Sequence, residues 1–133
     1  MERGEDGGIR LLVARCPGTE FGGLSVYSRQ GQPSRGWRVR RDGAAGLPGQ
    51  IDLFTAPPGY TVTDATLQEL SDSEEYAAVV RGVAHGKDAV DGRLVFTLRQ
   101  VDVLGSGKVL TGIEGDKVMD RAKFLKPSSA QCE

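Results

Sequence analysis

Leu94-Val95-Phe96-Thr97-Leu98-Arg99-Gln100-Val101-Asp102-Val103-Leu104-Gly105-Ser106-Gly107-Lys108-Val109-Leu110-Thr111-Gly112-Ile113 is the stretch on which the reading of the fold turns. In an extended chain successive side chains point to opposite faces, so Leu94, Phe96 and Leu98 share one face and Val95, Thr97, Val101 and Val103 the other. Apolar and β-branched residues on both faces describe a strand buried on at least part of each side. Gly105-Ser106-Gly107 interrupts the run and Lys108–Ile113 resumes it, so the stretch predicts a tight β-hairpin turning at 105–107.

The same punctuation extends outward. Ile9–Ala14, Leu24–Ser28, Trp37–Arg41 and Ile51–Phe54 each read as a short strand, separated by Cys16-Pro17-Gly18, Gly31–Gly36 and Asp42–Gly49. Ala56-Pro57-Pro58-Gly59 is a corner, because each proline restricts the residue before it to extended conformations. Short strands at this spacing predict a mainly β fold, an antiparallel sandwich or a small barrel.

Two segments carry rival readings. Tyr60–Leu70 and Glu75–Ala84 read as a long hairpin turning at Ser71-Asp72-Ser73. Residues 72–85 also satisfy a helical pattern: Ser71 with Glu74 and Asp72 with Glu75 form capping boxes, and Tyr76, Val79, Val80, Val83 and Ala84 recur at helical spacing before Gly86. Gly82 and three valines weigh against that helix by up to about 1 kcal/mol each, so strand is preferred. Residues 116–126 read as a short helix capped by Asp116 and stopped by Pro127, with Val118, Met119, Ala122, Phe124 and Leu125 as its apolar face, or as an irregular edge strand. The expected organisation is a flexible N-terminus over 1–8, a single β-rich domain over 9–126 and a flexible tail over 127–133, with no internal repeat.

Composition sets the limits. With 133 residues, 38% apolar and 26% charged, net charge −1, the chain can bury roughly two-thirds of its unfolded surface without metal or disulfide staples. No apolar run approaches the about 20 residues of a membrane span, and Met1–Gly8 is charged and glycine-rich, so a cytoplasmic location without membrane association is expected. Cys16 and Cys132 form neither a metal knuckle nor a dense disulfide framework, and reduced thiols are expected. Asn is absent, which removes N-glycosylation acceptors and Asn-Gly turns.

Catalytic equipment is sparse. His85 is the only imidazole; beside Gly86, Lys87, Asp88 and Asp91 it reads as a solvated turn residue, and multi-histidine metal chemistry is excluded. Gly105-Ser106-Gly107-Lys108 fails as a phosphate-binding loop, with Val109 after the lysine and Asp102 where the first Gly belongs. No metal and no cofactor is implied.

Charge is uneven. Residues 51–80 carry −6 (Asp52, Asp64, Glu69, Asp72, Glu74, Glu75) with no cation, while the parts before and after carry +3 and +2. The acidic run reads as a solvated face, a divalent-cation site or a docking surface for a basic partner, without the ligand spacing of an EF-hand. Arg35, Arg38, Arg40 and Arg41 interleave with Trp37 and Val39. On a strand this puts arginines over a buried aromatic; the functional reading is that Arg38 and Arg40 bind a phosphate or carboxylate ligand on which Trp37 stacks. A pI near 5.9 argues against broad nucleic-acid affinity. Tyr27, Trp37, Tyr60 and Tyr76 fall on separate segments and either converge on a ligand or spread through the core.

Three functions follow as expectations. The first is a binding or interaction module that pairs exposed strand edges with another copy of itself or another protein. The second is a cofactor-independent isomerase or cyclase holding an apolar small molecule in a barrel cavity, with Tyr27, Tyr60, Tyr76 or Glu69 as polar groups. The third is single-strand nucleic-acid binding through Trp37 and its arginines.

Overall fold

A computed structural model describes residues 1–4, 8–12, 19–30, 35–43, 50–84, 87–112, 114–115 and 117–125. Its elements are β1 (Glu2–Arg3), β2 (Ile9–Leu12), β3 (Thr19–Ser28), β4 (Gly36–Arg41), β5 (Gln50–Asp52), β6 (Tyr60–Ala65), β7 (Glu75–Ala84), β8 (Lys87–Thr97), α1 (Leu98–Asp102), β9 (Lys108–Thr111), β10 (Lys117–Asp120) and α2 (Arg121–Phe124). The fold is antiparallel and mainly β, as the short alternating runs predict.

The main layer is a five-stranded sheet in the order β6-β4-β3-β7-β8. It is open, with β6 and β8 as its two edges, so the barrel alternative is not realised and the architecture is sandwich-like. Leu24 and Val26 of β3, Trp37 and Val39 of β4, Tyr60 of β6, Tyr76 and Ala78 of β7 and Leu94 and Phe96 of β8 are buried together on its inner face. Register explains why they meet: Val26 lies opposite both Trp37 and Ala78, and Tyr76 lies opposite Phe96. Against this face packs a three-stranded sheet, β1-β2-β5, which contributes Leu11 and Ile51. A smaller sheet of β9 and β10 joins through Met1, whose backbone exchanges bonds with Leu110 in both directions, at 2.9 and 2.8 Å.

Alternation on β2 and β9 divides burial between two cores. Leu11 and Leu110 enter the main cluster, whereas their neighbours Leu12 and Val109 enter a second one with Phe124 and the partly buried Met119. Two neighbouring residues of a strand cannot share a face, so these strands serve as partitions between the cores.

Several expectations are corrected here. The hairpin across 105–107 does not form. β8 stops at Thr97, whose hydroxyl accepts from the Gln100 backbone N–H at 3.3 Å while the Gln100 side chain accepts from the Thr97 N–H at 2.8 Å. This capping box starts α1, and β9 pairs with β10 rather than β8. Residues 105–107 are a turn into β9, with Gly107 at φ +74°. Glu75–Ala84 is strand, as preferred over helix, but its hairpin partner is β8; β6 pairs with β4 instead. Lys117–Asp120 is strand, and only after it does Arg121–Phe124 form the one-turn α2, with Asp120 at its N-cap. Residues 1–4, expected to be loose, are built into the fold: Met1 is 2% exposed and Glu2 is buried between Arg10 and Arg121. The tail over 127–133 lies outside the described residues.

Candidate functional site

The pleat of the five-stranded sheet sorts the candidate residues onto two faces. Trp37, Tyr60 and Tyr76 point inward, at 3%, 8% and 0% exposure. Trp37 meets Phe54 edge to face at 5.8 Å between ring centres, and Phe54, at φ +70°, is the one non-glycine residue with positive φ among those described. Tyr76 lies 5.8 Å from Phe96, and its hydroxyl accepts from the Ser71 N–H at 2.6 Å. Burial is the main reason the Tyr60 and Tyr76 phenols are raised above the ordinary tyrosine value. These three aromatics are core, and ligand stacking on Trp37 is excluded by its position.

Tyr27, Arg38 and Arg40 are on the outer face. The register lays that face out in rows. One row runs Thr61, Arg40, Gly23, Arg81; the next runs Asp64, Arg38, Ser25, Val79, Arg93; the third runs Gly36, Tyr27, Ala77, Val95. Arg38, Arg40, Arg81 and Arg93 are all exposed, and Tyr27 is half-buried. The floor between them is small: Ser25, Ala77, Val79 and Val95 are buried, and at Gly23 an added Cβ would stand 2.5 Å from the Val39 carbonyl, which reserves that position for glycine. Arg38 Nε donates to Ser25 Oγ at 3.0 Å. Arg40, Arg81 and Arg93 have no carboxylate partner among the described residues.

The acidic run, by contrast, is neutralised in part within the fold. Glu74 receives Arg35 through both oxygens at 2.5 and 2.7 Å, Glu75 receives Arg29 at 2.6 Å, and Asp52 receives Arg10 at 3.3 Å. Asp64 accepts from the Thr66 backbone and hydroxyl at 3.0 and 2.9 Å, and these bonds hold its carboxyl below the ordinary aspartate value. Glu69 and Asp72 remain exposed and without an ion pair among the described residues. Among the described residues no group of three or more His, Cys, Asp or Glu is placed to hold a metal ion. His85, Cys16 and Cys132 lie outside the described residues.

The two sheet edges differ. At β8, Gly115 packs against Val95: an added Cβ there would stand 2.2 Å from the Val95 carbonyl oxygen, and the Gly115 carbonyl accepts from Gln100 Nε2 at 3.1 Å. The segment after β9 therefore covers part of that edge. At β6 no strand lies beyond Thr61–Ala65 among the described residues, every residue of that span is exposed, and Val62 is 42% exposed.

Compared with protein-family models, with curated proteins and with solved structures, the chain matches none. Among the described residues no helix is long and apolar enough to cross a membrane. The geometry thus leaves two surfaces, the outer arginine face and the β6 edge. Arg81 and Arg93 were not singled out in the sequence. The signal was an arginine at an outward position in each of two alternating runs, but it becomes a patch only once β7 and β8 are known to pair. Tyr27, Tyr60, Tyr76 and Glu69 do not converge, and the isomerase or cyclase reading loses the closed barrel on which it was built.

Proposed function

We propose that this chain is a β-rich interaction module that self-associates by adding β6 of one copy to β6 of another. The observation that carries the reading is the contrast between a β8 edge partly covered by the chain's own Gly115 at Val95 and a β6 edge on which no strand lies among the described residues. An uncovered strand presents a row of backbone donors and acceptors that another strand satisfies.

The β6 sequence suits a second copy. A bulge between Arg38 and Val39 leaves Thr63 as an extra residue, so Thr61 and Asp64 pair with outward-facing Arg40 and Arg38, while Val62 pairs with inward-facing Val39. Antiparallel addition must place outward residues opposite outward ones. The register that does so over the whole strand puts its two-fold axis between Val62 and Thr63, with Thr61 of one copy opposite Asp64 of the other. This register also avoids setting the two Asp64 carboxylates directly against each other.

Light scattering coupled to size-exclusion chromatography tests this. The wild-type chain is expected to elute with the mass of a dimer, and Val62→Lys, which charges an already exposed edge position, with that of a monomer of unchanged far-ultraviolet circular dichroism. A wild-type monomer at the highest soluble concentration, or a Val62→Lys dimer as tight as wild type, overturns the reading.

A further inference from the structure

We infer that the outer face of the five-stranded sheet, carrying Arg38, Arg40, Arg81 and Arg93, is a docking surface for an acidic polypeptide segment. The inference is independent of the β6 edge and concerns a different partner.

Three observations carry it. First, arginines without a carboxylate partner among the described residues cluster on this one face. Arg10, Arg29, Arg35 and Arg121 are each engaged by Glu or Asp, whereas Arg40, Arg81 and Arg93 face solvent with no carboxylate partner among the described residues. Four guanidinium groups on one sheet face repel one another when nothing sits between them, and a carboxylate-bearing partner relieves that.

Second, the spacing is set by the sheet. Arg38 and Arg40 are two residues apart on β4, about 7 Å, and Arg40 and Arg81 flank β3 at about 10 Å. Arg93 extends the patch to β8. An extended peptide with acidic side chains at alternate positions repeats its carboxylates at the same about 7 Å, so the pleat of the one matches the pleat of the other. The floor of Gly23, Ser25, Ala77 and Val79 has no bulky side chain to hold a ligand off the guanidinium groups.

Third, the face is poorly equipped for the other common polyanion. Single-stranded nucleic acid draws on aromatic platforms on which successive bases stack. Here Tyr27 alone, half-buried, is available among the described residues; Trp37 is buried on the opposite face. The margins also bear acid, with Asp64 beside Arg38 and Glu75 beyond Tyr27. These bound the patch to a short segment and disfavour a long, uniformly charged backbone.

The experiment is fluorescence anisotropy with a dye-labelled oligoglutamate peptide and, separately, a labelled oligothymidylate of equal charge. Wild type is expected to bind the peptide more tightly than the oligonucleotide. Arg40→Gln with Arg81→Gln should weaken peptide binding by about tenfold or more, because each substitution removes a charged hydrogen-bond donor. The equal charge change made elsewhere, Lys117→Gln with Lys123→Gln, should change it by no more than about twofold. Absence of peptide binding by the wild-type chain overturns the inference. So does an equal loss in the two double variants, which reduces the effect to net charge, and so does tighter binding of the oligonucleotide, which reassigns the face to nucleic acid. Because all four substituted residues are exposed and off the β6 edge, the mass of the Arg40→Gln, Arg81→Gln chain reports on self-association separately.

Discussion

The capping box at Thr97 and Gln100 separates helix from hairpin over residues 97–104 and can be tested by a small set of substitutions. Thr97→Val keeps shape and β-branching and removes only the hydroxyl that accepts from the Gln100 N–H at 3.3 Å. Loss of an N-cap costs about 1 kcal/mol. Gln100→Leu removes two bonds, the one accepted from the Thr97 N–H at 2.8 Å and the one donated to the Gly115 carbonyl at 3.1 Å. At about 1 kcal/mol for each net hydrogen bond, the expected cost is about 2 kcal/mol. Because the two side chains cap each other, the double variant should lose less than the sum by roughly 0.5 kcal/mol or more. In a chain of this length each kcal/mol lowers Tm by about 3–5 °C. Urea unfolding followed by Trp37 fluorescence and by circular dichroism reads both quantities. A continuous strand from Leu94 to Leu104 makes the opposite demand, since valine is at least as good as threonine there. A Thr97→Val chain as stable as wild type or more so, with additive behaviour in the double variant, refutes the capped helix.

Three further outcomes follow from single groups. Gly115→Ala places a methyl group against the Val95 carbonyl at a residue with φ +65°; it should destabilise by about 2 kcal/mol or more and promote aggregation from the uncovered β8 edge, seen as turbidity on mild heating, and a neutral result would remove the edge-covering role of that segment. Tyr76→Phe strands the Ser71 N–H and should cost about 1–2 kcal/mol in urea unfolding, whereas no change would mean that water replaces the phenol. The Met1 amine is buried and lowered from 8.0 to about 6 by desolvation, with Glu2 opposing; the unfolded chain therefore binds the proton more readily, and stability should rise by about 2 kcal/mol between pH 6 and pH 8 and be lost on acidification through that window. The slope should persist in His85→Gln, and its disappearance there would assign it to the imidazole.

Much of the candidate surface was legible at the level of single strands. Arg38 and Arg40 alternate with Trp37 and Val39, and the structure keeps that division, arginines outward and aromatic inward. The fate of Tyr76 was not legible, because Tyr76 and Ala78 alternate with the equally apolar Ala77 and Val79, and only cross-strand neighbours decide which face is core; Tyr27, by contrast, shares its face with Ser25, opposite Leu24 and Val26. The misread hairpin has a similar cause. Thr97-Leu98-Arg99-Gln100 carries both a β-alternation and a capping box, and local sequence does not rank the two. Likewise the acidic stretch looked like an uncompensated charge, because Arg29 and Arg35, which neutralise Glu75 and Glu74, lie 46 and 39 residues away in sequence.

What the amino-acid order determines by itself is the class of structure: period-two patterning and frequent glycine and proline turns commit the chain to short antiparallel strands, since that is how such runs hide apolar side chains and pair their backbones. What only the tertiary structure decides is which strands are neighbours. Neighbourhood gathers Arg81 and Arg93 beside Arg38 and Arg40, covers part of one edge with Gly115 and leaves the other without a neighbouring strand among the described residues. The physical reason is that pairing energy belongs to two segments at once. Burial on both faces and the closing of long loops choose among partners whose local signals are nearly equal.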